Sequence, residues 1–98
     1  MILTTQEKIE RYTANGWWGT KTVLDYFEEL VLNAPDRTAV IDPENKQQLC
    51  KQEKQTYTFA QLNDQVKALA ACLYAQGIRK DDIVAIQLPN IMELIVSY

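Results

Sequence analysis

The chain contains no histidine, a single serine at Ser97, only three glycines at Gly16, Gly19 and Gly77, and only two cysteines, Cys50 and Cys72. Each scarcity excludes something. Without histidine and without a Cys-x-x-Cys pair, no zinc site of the usual nitrogen and sulfur ligands can be assembled. Two lone cysteines with no framework spacing read as free thiols in a reducing compartment rather than as a disulfide scaffold. Ten basic and thirteen acidic residues leave a net charge of −3, and the lysines and arginines do not cluster, which argues against a nucleic-acid partner. The first residues run directly into charged ones, without the apolar core of a signal peptide, and no apolar run approaches the ~20 residues of a transmembrane helix. The expected location is therefore cytoplasmic. What is present is ordinary for a globular chain: 47% hydrophobic and 23% charged residues in 98 positions, enough for one small domain or part of one.

Along the chain, residues 1–21 read as an N-terminal arm with a short helix around Gln6 to Thr13, broken by Asn15-Gly16 and Gly19, which bracket Trp17-Trp18. Val23, Phe27, Leu30 and Val31 then fall on one helical face, with Thr20 or Thr22 as cap and Asp25 at the positive end of the dipole. Pro35 disfavours helical geometry in the residue before it, so this helix should stop near Asn33-Ala34. Thr38-Ala39-Val40-Ile41-Asp42 is a short strand ended by Pro43. Residues 43–55 are polar and read as an exposed loop leading to a strand at Thr56-Tyr57; the segment exceeds the roughly 2–5 residues of a hairpin loop and is expected to be a surface insertion, with a lid as the alternative.

The strongest local signal follows. Thr58 and Gln61 make the Thr-x-x-Gln capping box, and Phe59, Leu62, Val66, Leu69, Ala70 and Leu73 recur at spacings of three and four down to the helix-closing Gly77. Arg79-Lys80-Asp81-Asp82 is a turn. Ile83-Val84-Ala85-Ile86-Gln87-Leu88 is apolar on both sides apart from Gln87, the pattern of a strand buried in a mostly parallel sheet, which with the preceding strand and helix would form a right-handed βαβ unit. Asn90 is then placed to cap a final helix with Glu93 at its third position, and residues 91–98, nearly apolar all round, predict a buried helix that ends with the chain. At eight residues, short of the ~12–15 at which isolated helices become stable, this end should fray or self-associate unless more protein covers it.

These segments resemble a known family. Tyr57-Thr58-Phe59-Ala60-Gln61-Leu62 is similar to the first core motif, Leu-Thr-Tyr-x-Glu-Leu, of the adenylate-forming acyl- and aryl-CoA synthetases. Gly77-Ile78-Arg79-Lys80-Asp81-Asp82-Ile83-Val84-Ala85-Ile86-Gln87-Leu88-Pro89-Asn90 resembles the passage that follows it there. Arg11-Tyr12, Gly16-Trp17-Trp18, Thr22, Asp25-Tyr26-Phe27 and Pro35-Asp36-Arg37-Thr38-Ala39-Val40 look like the entry segment of the branch that handles medium-chain, alicyclic and aryl carboxylates. Gln61 replaces the family's Glu and serves a capping box equally well. Asp81 replaces a Gly, which matters only if that turn needs a positive φ.

The resemblance implies an α/β fold, a partial N-terminal subdomain of the adenylate-forming enzyme with helices packed on a mixed, mostly parallel sheet. Residues 1–98 would be the N-terminal portion of the large AMP-binding domain, ending within a helix at 91–98. It implies ATP, Mg and coenzyme A for the whole enzyme, which joins a carboxylic acid to AMP and then to the CoA thiol. Such chemistry needs a Ser/Thr/Gly-rich phosphate loop, an acidic group on the metal and a mobile lysine. No such loop occurs here, so no catalytic, cofactor-binding or metal residue is assigned and the segment alone is expected to be inactive. Trp17-Trp18 is expected to anchor the arm on the domain rather than line a substrate entrance, Asp81-Asp82 to be a solvated turn rather than a metal site, and Cys72 to pack rather than react. Two other readings stay open: an aryl-acid adenylation domain loading a carrier protein, and a non-catalytic α/β interaction module that self-associates through 91–98.

Overall fold

A computed structural model of the chain describes residues 3–98. The first two residues of the expected arm, Met1 and Ile2, lie outside the described residues. Helix α1 spans Gln6–Ala14, with Thr5 Oγ1 accepting from the Lys8 N–H. Helix α2 spans Val23–Asn33 and opens on a reciprocal capping box: Thr22 accepts from the Asp25 N–H, and the Asp25 carboxylate accepts from the Thr22 N–H. Strand β1 (Thr38–Ile41) and strand β2 (Thr56–Thr58) pair antiparallel, with Val40 opposite Tyr57, Ile41 opposite Thr56, and an irregularity between Thr38 and Val40. Between the two strands lies a short helix α3, Lys46–Cys50.

The capping box predicted at the start of the next helix is formed. Gln61 N–H donates to Thr58 Oγ1 at 3.2 Å and Thr58 N–H to Gln61 Oε1 at 3.0 Å, and helix α4 runs Phe59–Ala75. Satisfying two orphan donors at once fixes where the helix begins. The start of α4 is also tied to the α2–β1 connection: Phe59 N–H donates to the Arg37 carbonyl at 3.1 Å and Ala60 N–H to the Pro35 carbonyl at 3.0 Å. Phe59 faces Phe27 of α2 with ring centroids 6.3 Å apart. Gly77, with φ +93, closes the helix in the left-handed region that glycine enters freely. The last helix, α5, is Met92–Val96.

Two expectations are corrected here. The first is the buried strand at Ile83 to Leu88 and, with it, the parallel βαβ unit. Among the described residues the sheet has two strands and is antiparallel, and residues 83–88 are exposed and outside any helix or ladder. Ile83 is 81% exposed. An apolar run records the environment a strand is suited to, but a strand exists only where a second backbone accepts its hydrogen bonds. The second is the view of 43–55 as simply exposed: it holds α3, and Lys46 within it is only 1% exposed.

The turn at Asp81 does adopt a positive φ, +72, so the substitution of Asp for the resembled Gly falls where backbone strain is at issue; Asp tolerates that region better than most residues. The buried apolar side chains among the described residues are Leu62, Ile91 and Met92. The radius of gyration is 16.6 Å, against about 13 Å for a compact domain of this length. Mass is spread along a hairpin, α4 laid on it, α2 packed against α4, and a trailing passage.

Candidate functional site

The one buried charged cluster among the described residues joins three parts of the chain. Asp42, directly after β1, and Lys46, in the first turn of α3, stand at i and i+4 and pair at 2.7 Å. Glu93 of α5 comes in from far along the sequence, its two carboxylate oxygens 2.9 and 3.0 Å from Lys46 Nζ. The three protons of the ammonium thus have three oxygen partners. Asp42 is equally occupied: Oδ1 accepts from the Met92 N–H at 2.8 Å, and Oδ2 accepts from Lys46 and from the Gln55 N–H at 3.0 Å.

Burial works against the charge of both Asp42 and Lys46. For Asp42 the Lys46 ammonium and the Met92 and Gln55 N–H groups outweigh it, and the carboxyl is held below its usual value. For Lys46 the carboxylates of Asp42 and Glu93 outweigh it, and the ammonium is held above its usual value. Both groups are therefore charged at neutral pH, and no buried polar side-chain atom among the described residues lacks a partner. A closed cluster of this kind, with its one ammonium shared between two carboxylates, organises structure; it offers neither a free base nor a free nucleophile.

The cluster also corrects the cap expected at Asn90. Ile91 occupies the N-cap position of α5 without a side-chain hydrogen bond of its own. The Met92 N–H goes instead to Asp42, and Glu93 turns to Lys46 rather than back to the helix start. A carboxylate is the stronger acceptor for an orphan helix N–H than an amide, which is the physical reason the distant Asp42 takes the role.

Trp17 and Trp18 pack edge-on against Tyr12 of α1, with centroids 5.5 and 5.0 Å away, so they close the arm on itself rather than pinning it to the hairpin. Trp17 remains 69% exposed. Asp82 accepts from the Arg79 N–H at 2.7 Å and thereby shapes its turn. Cys50 is half-buried and Cys72 exposed, and both are free thiols. Two clefts flank α5. One of 290 Å³ is lined by Tyr57, Gln65, Leu69, Met92, Glu93 and Val96. The other, of 450 Å³, is walled by Val23, Leu24, Phe27, Leu62, Ile95 and Tyr98. Neither presents the convergent backbone N–H groups or cations that a triphosphate requires. Among the described residues no group of three or more His, Cys, Asp or Glu could hold a metal ion. The residues present do not fit Mg.

Sequence reasoning missed the Asp42, Lys46, Glu93 cluster. The available signal was the Asp42 and Lys46 spacing across the first turn after the strand.

Comparison with known proteins then decides the family. The family model described as AMP-binding enzyme matches residues 27–98. The chain belongs to the AMP-binding enzyme family. Among curated relatives, the medium-chain fatty-acid–CoA ligase of Escherichia coli (strain K12) is 29% identical over 93 residues, 95% of this chain and 15% of that protein. A mycosubtilin synthase protein of Bacillus subtilis is 33% identical over 98% of this chain and 4% of its own length. A salicylyl-CoA synthase/salicylate adenylyltransferase of a Streptomyces species is 28% identical over 92% of this chain and 14% of its own. The chain thus spans 15% or less of the length of these relatives. No solved structure matches it.

Proposed function

We propose that the chain is the N-terminal scaffold of an ATP-dependent carboxylic acid–CoA ligase, acting on a fatty, medium-chain or aryl acid through an acyl-adenylate. The observation that carries this reading is the match to the medium-chain fatty-acid–CoA ligase along 95% of the chain. In the whole enzyme the carboxylate would attack the α-phosphate of ATP, releasing pyrophosphate, and the CoA thiol would then displace AMP. Residues 1–98 would serve that reaction as the N-terminal portion of the large AMP-binding domain, with residues 1–21 as its arm. Their task would be to set the hairpin, α4 and α5 in place, not to touch the reacting atoms. A cytoplasmic location belongs to the same reading, where ATP and CoA are at hand and two free thiols persist.

A second reading, adenylation of an acid for transfer to a carrier protein, is favoured by the identity to the mycosubtilin synthase protein over 98% of the chain. The complete open reading frame separates them: acid-dependent ATP–pyrophosphate exchange followed by CoA thioester formation supports the ligase, and exchange with transfer only to a phosphopantetheine carrier supports the second. The 98-residue chain alone should give no exchange, and exchange by it would overturn the scaffold assignment. Self-association through 91–98 is the expected behaviour of the isolated chain, where Tyr98 is 89% and Ile95 40% exposed, and a monomer at all concentrations in size-exclusion chromatography would contradict it.

A further inference from the structure

The passage between α4 and α5 raises a mechanical question. Residues 79–90 are exposed throughout and residues 82–89 carry no helix, strand or turn, so α5 is not held in place by its own chain neighbours. At five residues it cannot be stable by itself either. Yet Ile91 and Met92 are buried. Something on the body of the molecule must hold this end down.

Among the described residues, the polar contacts that cross to α5 from the hairpin side end on Lys46 or on Asp42, the carboxylate paired with it. Glu93 binds Lys46 Nζ through both oxygens. The Met92 N–H binds Asp42, whose other oxygen is neutralised by Lys46. Lys46 and Asp42 sit on the hairpin side and Glu93 on the helix side. Removing the ammonium would leave two carboxylates facing one another across the junction, one of them fully buried, so attraction would turn to repulsion at the seam. Glu93 keeps a side chain 43% exposed, and it can therefore leave into water more cheaply than Asp42 can.

We propose that Lys46 is an electrostatic latch, and that residues 43–55, rather than being a passive insertion, form a strap whose buried cation clamps the start of α5 onto the hairpin. With the latch closed, α5 stands beside α4 and the two clefts that flank it are formed. With it open, residues 77–98 become a tether carrying an apolar end. The strap places Lys46 through local geometry: α3 ends on Lys51 in the left-handed conformation, φ +62, and the Gln55 N–H returns the chain to Asp42. The inference depends on this geometry and not on the identity of the acid or acceptor.

Amide hydrogen exchange on the intact polypeptide tests it. In Lys46→Met, exchange of the α5 amides should rise on the order of tenfold or more, while the amides of α4 stay within about twofold of the parent. Glu93→Gln keeps the Asp42–Lys46 pair and should accelerate the same amides by roughly threefold. The double variant should exchange no faster than Lys46→Met, because both substitutions break one seam. Three results overturn the latch. Unchanged α5 exchange in both variants would mean that apolar contacts of Ile91 and Met92 suffice. Additive effects would mean that Lys46 and Glu93 act separately. Equal acceleration of α4 and α5 would make Lys46 a general prop of the fold.

Discussion

The hairpin with α4 and the passage from Ile83 to Leu88 are both rich in apolar residues, and they meet opposite fates. In α4, Leu62 is 5% exposed and Phe59, Val66 and Leu69 are half-buried. In the passage, Ile83 is 81% exposed, and Val84, Ile86 and Leu88 are each more than 40% exposed. The difference lies in where the backbone hydrogen bonds close. A helix satisfies its own backbone and needs only a surface to lie on, which the hairpin and α2 provide. A strand must borrow its bonds from a neighbour, and apolar side chains cannot substitute for that neighbour.

The comparison is broken most directly at Leu62. Leu62→Ala should cost about 2–5 kcal/mol, the range for emptying a buried leucine site, and with so few apolar side chains fully buried this should abolish most of the helical signal in far-ultraviolet circular dichroism. Retention of the signal with an unchanged urea midpoint would show that α4 does not depend on its packed face. Next in size is the effect of pH on the Asp42, Lys46 cluster. The Asp42 carboxyl lies below its unfolded value of 3.8, so its contribution is present above that pH and disappears as pH falls through the lower folded value. The Lys46 ammonium lies above 10.5, so its contribution is complete below that pH and disappears as pH rises through the higher folded value. Urea midpoints should therefore fall at both ends of the pH range, and in Lys46→Met the alkaline fall should shrink to what the exposed Lys21–Glu29 pair contributes.

The helices were legible in the sequence because their signals are local. Thr22 with Asp25 and Thr58 with Gln61 lie three residues apart, and each pair decides a helix start without help from the rest of the chain. Family membership was legible for a related reason, since the pattern at 57–62 and 77–90 runs along the chain in order. The expectation of a buried strand at 83–88 failed because its apolar pattern states which environment the side chains suit, whereas a strand needs a partner backbone, and none of the described residues provides one. The latch was invisible because Lys46 sits in a run of glutamines, lysines and glutamates that looks solvated. What buries it is Glu93, far away in sequence, and no spacing rule connects the two. The Trp17-Trp18 pair announced aromatic packing, but not that Tyr12 in the same arm would be its partner.

A smaller effect sharpens the local half of the comparison. Thr58→Ala removes the acceptor for the Gln61 N–H and should cost about 1 kcal/mol, read as a lower urea midpoint with an unchanged slope. Thr58→Ser keeps the hydroxyl and should recover most of it. If alanine and serine behave alike, the start of α4 is set by the Phe59 and Ala60 bonds to the α2–β1 connection instead of by the capping box.

The smallest expected effect is the most informative about the passage. Ile83→Thr changes an 81% exposed side chain that pairs with no strand and packs in no core, so its stability cost should stay within about 0.5 kcal/mol. The same substitution in a buried strand would remove a large apolar side chain and strand a hydroxyl, at about 2 kcal/mol or more. A loss of that size in the isolated chain would mean that residues 83–88 are covered in solution, by a second copy or by the body of the molecule. If Ile83→Thr is neutral in the 98-residue chain but costly in the complete open reading frame product, the apolar run is a strand that acquires its partner only there, and the contrast between self-sufficient helix and dependent strand becomes a measured free-energy difference.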